Sequence, residues 1–300
     1  PVVADPEGTE VNQAYVQRSL WEDVRARVGR QRIKLDDDRF VGNVGWRPNE
    51  QTYDAVSLSK TFEEGLDLYY AFLHNVNRVF GDDSPAGDAP MASHLVRAAY
   101  PIDSVGTLAG YWYMLDFERS GDAGLSTSTL WLRLHGSRAL AEETDLSYLL
   151  EVAQQSDAGD NPADLDAGYR RVQLGADVSG VDLGIGWEEL ESDSGVPFST
   201  PLATLHAHNG WADKFLATPA DGLEDLWFSV GTTVEKVKLA AVYHDFSAES
   251  GGDDYGSEID LIATRPINES VSAGIKLASY MEDGFSDDTE KLWLWAAALL

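Results

Sequence analysis

Cysteine is absent, which excludes a disulfide framework, a thiolate metal centre and a thiol nucleophile. Basic residues are scarce: 22 Lys and Arg stand against 51 Asp and Glu, a formal charge of -29. Nucleic-acid affinity comes from basic side chains on phosphates, so nucleic acid is not an expected partner. Strong acidity suits a salt-adapted or cation-facing surface, and it serves solubility equally well. No apolar run approaches the roughly eighteen residues of a helical membrane span. Strand spans are untouched by that absence, because their signal is far weaker. No nucleophile elbow, phosphate loop or Gly-rich dinucleotide fingerprint occurs, and scattered Ser, His and Asp do not make a triad. The chain is therefore read as a non-enzyme without a cofactor. No signal peptide is present and the chain begins at Pro1 rather than Met, so a missing export signal says nothing about location.

What is present is alternation. Ser128, Leu130, Leu132 and Leu134 fall on one face of a strand, and Thr129, Trp131, Arg133 and His135 on the other. After the acidic turn Glu142 to Asp145, Leu146, Tyr148, Leu150 and Val152 oppose Ser147, Glu151 and Gln155. The ordered second face is polar and partly charged, so it requires either bulk solvent or a water-filled lumen behind it. The pattern recurs in Val172, Leu174 and Ala176 against Arg171, Gln173 and Asp177, and in Ile275 and Leu277 against Lys276.

Segments of this kind, separated by turn residues, occupy roughly 11–20, 24–35, 52–62, 66–80, 94–102, 107–117, 126–140, 146–155, 166–178, 181–190, 225–234, 237–247, 257–265, 271–281 and 291–300. Short connections such as Glu63-Glu64-Gly65 and Ser179-Gly180 alternate with long ones, including 36–51, 156–165 and 191–224. Tight turns on one side and larger loops on the other are the habit of an outer-membrane barrel. The expected fold is an all-β, antiparallel transmembrane barrel, one domain over residues 1–300 with about fifteen strands. With tight turns periplasmic, the first strand descends and Pro1 lies outside. Since bacterial single-chain barrels have even strand numbers, an odd number of N-terminal strands is missing and the parent has about 16 to 18. Beyond Gly29 the parity of the second segment flips. Either a bulge at Gly29 or departure of that end from the membrane accounts for it.

On this reading the polar face lines an aqueous pore, through Arg25, Arg27, Asp54, Arg133, His135, Glu151, Arg171, Asp177, Glu188, Lys238 and Lys276. The basic cluster Arg25 to Arg47 either holds anions, as guanidinium forks do, or pairs with acids such as Asp54 and fixes shape. The connection 191–224 is too long for a plain turn. It is expected to narrow the lumen, with His206, His208, Trp211, Asp213, Lys214 and Phe215 as its working residues; an external flap is the alternative. His206 and His208 lack a third ligand, so no metal site is assigned to them. Clustered carboxylates at Asp36 to Asp38 and Asp157 to Asp164 either hold Ca²⁺ weakly or form a solvated acidic face, and their spacing departs from the EF-hand.

Two blocks carry a resemblance. Gly29-Arg30-Gln31-Arg32-Ile33, Asp37 to Gly42, Val44-Gly45-Trp46-Arg47 and Gln51 to Ala55 make up the first, and Thr200 to His206 with Asn209 to Leu216, Thr218-Pro219 and Gly222-Leu223 the second. They are similar to the alginate-export family of outer-membrane barrels. The resemblance implies a monomeric porin set among outer-membrane lipid and lipopolysaccharide, passing small polar or anionic solutes, uronate oligosaccharides such as alginate among them. The mixed charge of the inferred lumen departs from the strongly basic pore of the alginate branch, because an uncompensated carboxylate repels a polyanion over about 10 Å. A plugged structural or adhesive surface barrel is the second expectation, and a soluble secreted β-protein the third.

Overall fold

Period-two alternation leaves each strand with one apolar and one polar face, and pairing in register collects like faces together. The computed structural model describes residues 8–298. Its strands are β1 (Ala14–Ser19), β2 (Arg25–Gln31), β3 (Thr52–Thr61), β4 (Asp67–Asn77), β5 (Asp88–Ile102), β6 (Gly106–Leu115), β7 (Thr127–Ala141), β8 (Thr144–Asp157), β9 (Asp166–Val178) and β10 (Val181–Leu190). There follow β11 (Ser192–Asp193), β12 (Val196–Pro197), β13 (Leu223–Val234), β14 (Val237–Ser247), β15 (Asp254–Pro266), β16 (Val271–Glu282) and β17 (Thr289–Ala298). Except for the small β11–β12 hairpin, the strands form one 15-stranded sheet whose spatial order is the order of the sequence. Its ladders are antiparallel. The antiparallel all-β expectation holds, and the position expected for Pro1 lies outside the described residues.

Connections alternate as expected, tight between β3 and β4, β9 and β10, and β13 and β14, and long over 32–51 and 191–222. Two details differ from the sequence reading. Strand β5 starts at Asp88 rather than near 94, because Pro90, which reads as a loop residue, is accommodated opposite Asn75 while its carbonyl accepts from Glu118 N at 3.0 Å. No bulge forms at Gly29, which pairs in unbroken register with Tyr15 and Ala55. The parity flips because the chain leaves the sheet after Gln31. The bulge of this region lies in β4, where His74 is skipped between Leu73 and Asn75.

The chain divides into two compact units. The first holds the residues up to Leu134, Val152–Gly168 and Phe198–Leu205; the second holds His135–Glu151, Tyr169–Pro197 and the chain from His206 onward. In the first unit the sheet is inverted relative to a soluble protein. Leu130 and Leu132 are 62% and 54% exposed, whereas their neighbours Trp131 and Arg133 are 2% and 9% exposed. The second unit repeats this, with Leu183, Ile185, Ile259, Leu261, Ile275 and Leu277 exposed while Glu188, Glu258 and Asp260 are buried. Apolar rows exposed on this scale mark a surface made for an apolar neighbour. No helix among the described residues is long and apolar enough to cross a membrane.

Candidate functional site

In the first unit the polar face is covered by the segment that follows β2. Phe40 stacks on Trp131 with ring centroids 4.1 Å apart, and Tyr111 stacks on Trp131 at 3.9 Å. Charge follows the rings: Arg133 Nη1 donates to Asp37 at 3.1 Å, and Tyr111 Oη donates to Asp36 at 2.7 Å. The main chain is also fixed, since Gly42 N donates to Leu202 O at 2.9 Å and Thr204 N to Asp38 O at 3.0 Å. Tyr53 Oη and Gln51 Nε2 both donate to Gly42 O, at 2.8 and 3.0 Å. Residues 202–204 are thereby tied to the Asp38–Val44 turn through backbone groups that would otherwise be buried unpaired.

The arginines of β2 behave differently. Arg25 and Arg27 share a face and line a cavity of about 180 Å³ with Arg32, Lys34, Ser57 and Tyr69. Arg27 is held by Gln17 Oε1 at 2.8 Å and stands 4.2 Å over the ring of Tyr15. Arg32 is bound by Glu50 at 2.6 Å and Lys34 by Asp38 at 3.0 Å. Asp54 requires a correction. It pairs with Arg30 at 2.8 Å and has the parity of Val56 and Leu58, the apolar face, so it does not share the wall of Arg25 and Arg27. The reason is geometric: both ionic side chains sit at the loop ends of their strands, and they neutralise one another there.

In the second unit the polar face gathers carboxylates from four strands around residues 206–216. Tyr169 Oη donates to Glu188 Oε1 at 2.7 Å and stands 3.3 Å from Glu151 Oε2. Asn209 Nδ2 donates to Glu188 Oε2 at 2.6 Å and to Asp225 Oδ2 at 3.1 Å, while His244 Nδ1 meets Asp225 Oδ1 at 2.9 Å. Backbone amides complete the anchorage: Trp211 N donates to Asp260 Oδ2 at 3.1 Å and Ala212 N to Glu258 Oε1 at 2.6 Å. Gly210, at φ +81°, allows this approach, because a Cβ there would meet the Glu258 carboxylate.

The remaining loop residues reach outward from this anchor. Asp213 accepts from His206 Nδ1 at 2.6 Å and from Lys291 Nζ at 2.7 Å. Lys276 Nζ lies 2.6 Å from His206 Nε2, which must accept, so His206 is neutral with its proton on Nδ1. Burial pulls His206 below its usual range, and Lys276 and Lys291 add to this against the pull of Asp213. Burial pushes Asp213 up, but His206 and Lys291 outweigh it and hold it below the usual carboxylate range. Phe215 sits among Phe246, Tyr255 and Phe285 with centroids 4.5 to 6.0 Å away. Lys214 donates to Ser286 Oγ at 3.0 Å and Asp287 O at 2.7 Å.

A cavity of about 210 Å³ lies beside the anchor, lined by Arg171, Glu188, His208, Asn209, Trp211 and Trp227 among others. Arg171 Nη1 is 3.6 Å from Glu151 Oε2. His135 shares the parity of Arg133 and is half-buried. Asp177 accepts from Gly180 N at 3.3 Å and so serves its tight turn. Lys238 is exposed, next to the turn between β13 and β14.

The polar-face pattern picked out Glu151, Arg171, Glu188 and Lys276, and the structure brings each against other polar groups of the second unit. The sequence reading placed Asn209 and Phe40 in the two resembling blocks but gave neither a role; Asn209 joins two of the carboxylates and Phe40 caps Trp131. Asn209 stands in a loop, where no periodicity applies. An aromatic residue beside Arg39 in an otherwise polar segment was the available signal for Phe40. No group of three His, Asp or Glu able to hold a metal ion occurs among the described residues.

Residues 2–77 match the model of the alginate export family, which takes in the first of the two resembling blocks and not the second. A comparison with curated proteins finds no match. Among solved structures, Acinetobacter baumannii OccAB2 superposes with a TM-score of 0.72 at 15% identity, over 91% of this chain and 74% of that one. Pseudomonas aeruginosa OccK10 (OpdN) gives 0.70 at 15% identity, over 92% of this chain and 80% of that one. Pseudomonas aeruginosa OccK11 (OpdR) gives 0.66 at 18% identity, over 92% and 78%. At these identities the likeness is one of fold, an antiparallel β-fold resembling outer-membrane porin barrels.

Proposed function

We propose that the chain is the greater part of a non-enzymatic outer-membrane porin that passes small polar or anionic solutes down their gradients. The observation that carries this is the inversion of the sheet: leucines at 62% and 54% exposure alternate with a tryptophan and an arginine at 2% and 9%. Hydrocarbon is the neighbour such leucines require, and water with polar loops is what the opposite face requires. Fold likeness to outer-membrane porin barrels supports the same reading. On it, residues 1–300 form one barrel domain, the parent has 16 to 18 strands, and the protein is a monomer among outer-membrane lipid and lipopolysaccharide.

The pore wall comprises Arg25, Arg27, Arg133, His135, Glu151, Arg171, Asp177, Glu188, Lys238 and Lys276. Segments 33–46 and 206–216 restrict it, and the basic cavity at Arg25 and Arg27 is where an anionic solute, a uronate among them, would be held. The test is conductance of the purified full-length protein in planar bilayers. Discrete channel events are expected, and charge reversal at Arg171 should shift ion selectivity toward cations. Silence in the bilayer favours the other reading, a plugged surface barrel, for which the dense anchorage of 206–216 is the supporting feature.

A further inference from the structure

The exposed apolar face of the second unit is not even. Val230, Ala241, Leu261 and Leu277 lie opposite one another across β13 to β16, and Thr232, Leu239, Ala263 and Ile275 form the next row toward the tight turns. In each row one position is alanine, while Val230, Leu261, Leu277, Leu239 and Ile275 around it are exposed. Ala241 and Ala263 are diagonal neighbours across β14 and β15, because Ala241 faces Leu261. Adjacent rows that lack side-chain bulk at diagonal positions leave a depression, and an open groove lies there with Thr232 as the one polar side chain of its lining.

A charge stands at the end of this groove. Arg265 is two residues beyond Ala263 in β15, on the same face, and opposite Ala273 in β16. It is exposed and forms no ion pair or side-chain hydrogen bond with another described residue, Glu269 of the following turn included. A guanidinium on a lipid-facing strand is tolerated near the interface and not at the midplane. Arg265 meets that condition, since only Pro266 separates it from the end of β15 and the tight turn to β16. With the tight turns periplasmic, this end of the groove lies in the leaflet built of glycerophospholipids rather than lipopolysaccharide.

We propose that the groove seats one acyl chain of a glycerophospholipid of the periplasmic leaflet, whose phosphate is held by Arg265. Charge and shape select the same occupant. A phosphate is the anion that a guanidinium fork fits, an acyl chain is the apolar group present at this depth, and one molecule carries both. The proposal rests on the placement of the sheet in the membrane and not on conduction, so a barrel silent in planar bilayers leaves it standing.

The experiment is native mass spectrometry of the full-length protein released from detergent micelles and titrated with dioleoylphosphatidylglycerol. Saturable binding of a single molecule is expected. Arg265→Gln should weaken it about tenfold, and Arg265→Lys less, because the charge remains although the fork does not. Ala241→Leu and Ala263→Leu fill the floor of the groove and should weaken binding to a similar extent. Arg138→Gln removes another exposed arginine, in β7 with the parity of Leu130 and Leu132, and should leave binding unchanged. Two further probes test the wild-type protein, so that a variant that fails to fold does not decide the matter. Dioleoylglycerol has the chains without the phosphate, and dihexanoylphosphatidylglycerol has the phosphate without the long chains; each should bind about tenfold more weakly. Binding that is intact in R265Q, or intact in both leucine variants, overturns the proposal, as does an equal loss in R138Q. Equal binding of either truncated probe, or tighter binding of lipid A from the opposite leaflet, overturns it as well.

Discussion

The two units cover their polar faces with different emphasis, although carboxylates serve in both, Asp36 and Asp37 accepting from Tyr111 and Arg133 in the first. In the first, the segment around Phe40 is held by stacked rings, with Trp131 between Phe40 and Tyr111 at 4.1 and 3.9 Å, and by main-chain bonds to Leu202 and Asp38. In the second, residues 206–216 are held by ionised or ionisable side chains, chiefly Glu188, Asp225, Glu258 and Asp260, acting on Asn209 and two backbone amides. Ring stacking is indifferent to protons and salt, whereas a carboxylate accepts well only while ionised. The difference teaches that the first segment leans more on contacts that protons and salt leave alone and that the second is more sensitive to its medium. The cavity of about 210 Å³ lies beside the second.

The contrast is sharpest at Trp131. Trp131→Ala should destabilise the first unit by about 3–5 kcal/mol, the cost of deleting a buried ring, and should expose 36–46 to protease while 206–216 stays protected. Equal loss of protection in both segments would break the comparison. Glu258→Gln together with Asp260→Asn replaces the two carboxyl acceptors of the Trp211 and Ala212 amides by carboxamides. A hydrogen bond contributes about 0.5–1.5 kcal/mol, so faster hydrogen exchange at those amides is expected, with the Gly42 amide unaffected.

Acidification acts in the same direction but less strongly. His206 has a folded-state value below its ordinary 6.5, so below about 6.5 the released loop binds a proton that the docked loop does not. Docking thus weakens as pH falls from neutral. Asp213 lies below its ordinary 3.8, and its contribution is present above that value and lost as pH falls through the lower folded value. Exchange at 206–216 should rise between pH 7.5 and 5.5, while exchange at 36–46 should not; parallel behaviour would remove the distinction. The smallest effect belongs to Lys214→Ala. Its bonds to Ser286 and Asp287 are exposed, and a change within about 1 kcal/mol is expected in urea unfolding.

Strands were legible because their signal is local. Each of the fifteen expected segments overlaps one strand of the sheet, and the polar parity of Arg133, Glu151 and Lys276 agrees with burial on one face. Two failures are also local in origin. Pro90 masked the first turn of β5, because proline reads as an interruption although a strand end tolerates it. Asp54 was assigned by its charge rather than by its place two residues before Val56. Loop contacts were illegible for a different reason. Nothing in the spacing of Phe40 or Asn209 indicates that one meets Trp131 and the other bridges Glu188 and Asp225, since those partners are far apart in sequence and are joined only by the completed sheet.

Because each long strand lies beside its neighbours in the chain, most steps of sheet assembly need only short closures, and the longer ones over 32–51 and 191–222 add a modest loop entropy. Successive hairpins can be added like staves, and a hairpin inserted or deleted at a tight turn shifts the strand count by an even number without re-pairing the others. Segments 33–46 and 206–216 can seat only after their distant partners are in place. Assembly of the sheet and seating of these two segments are therefore separable in time.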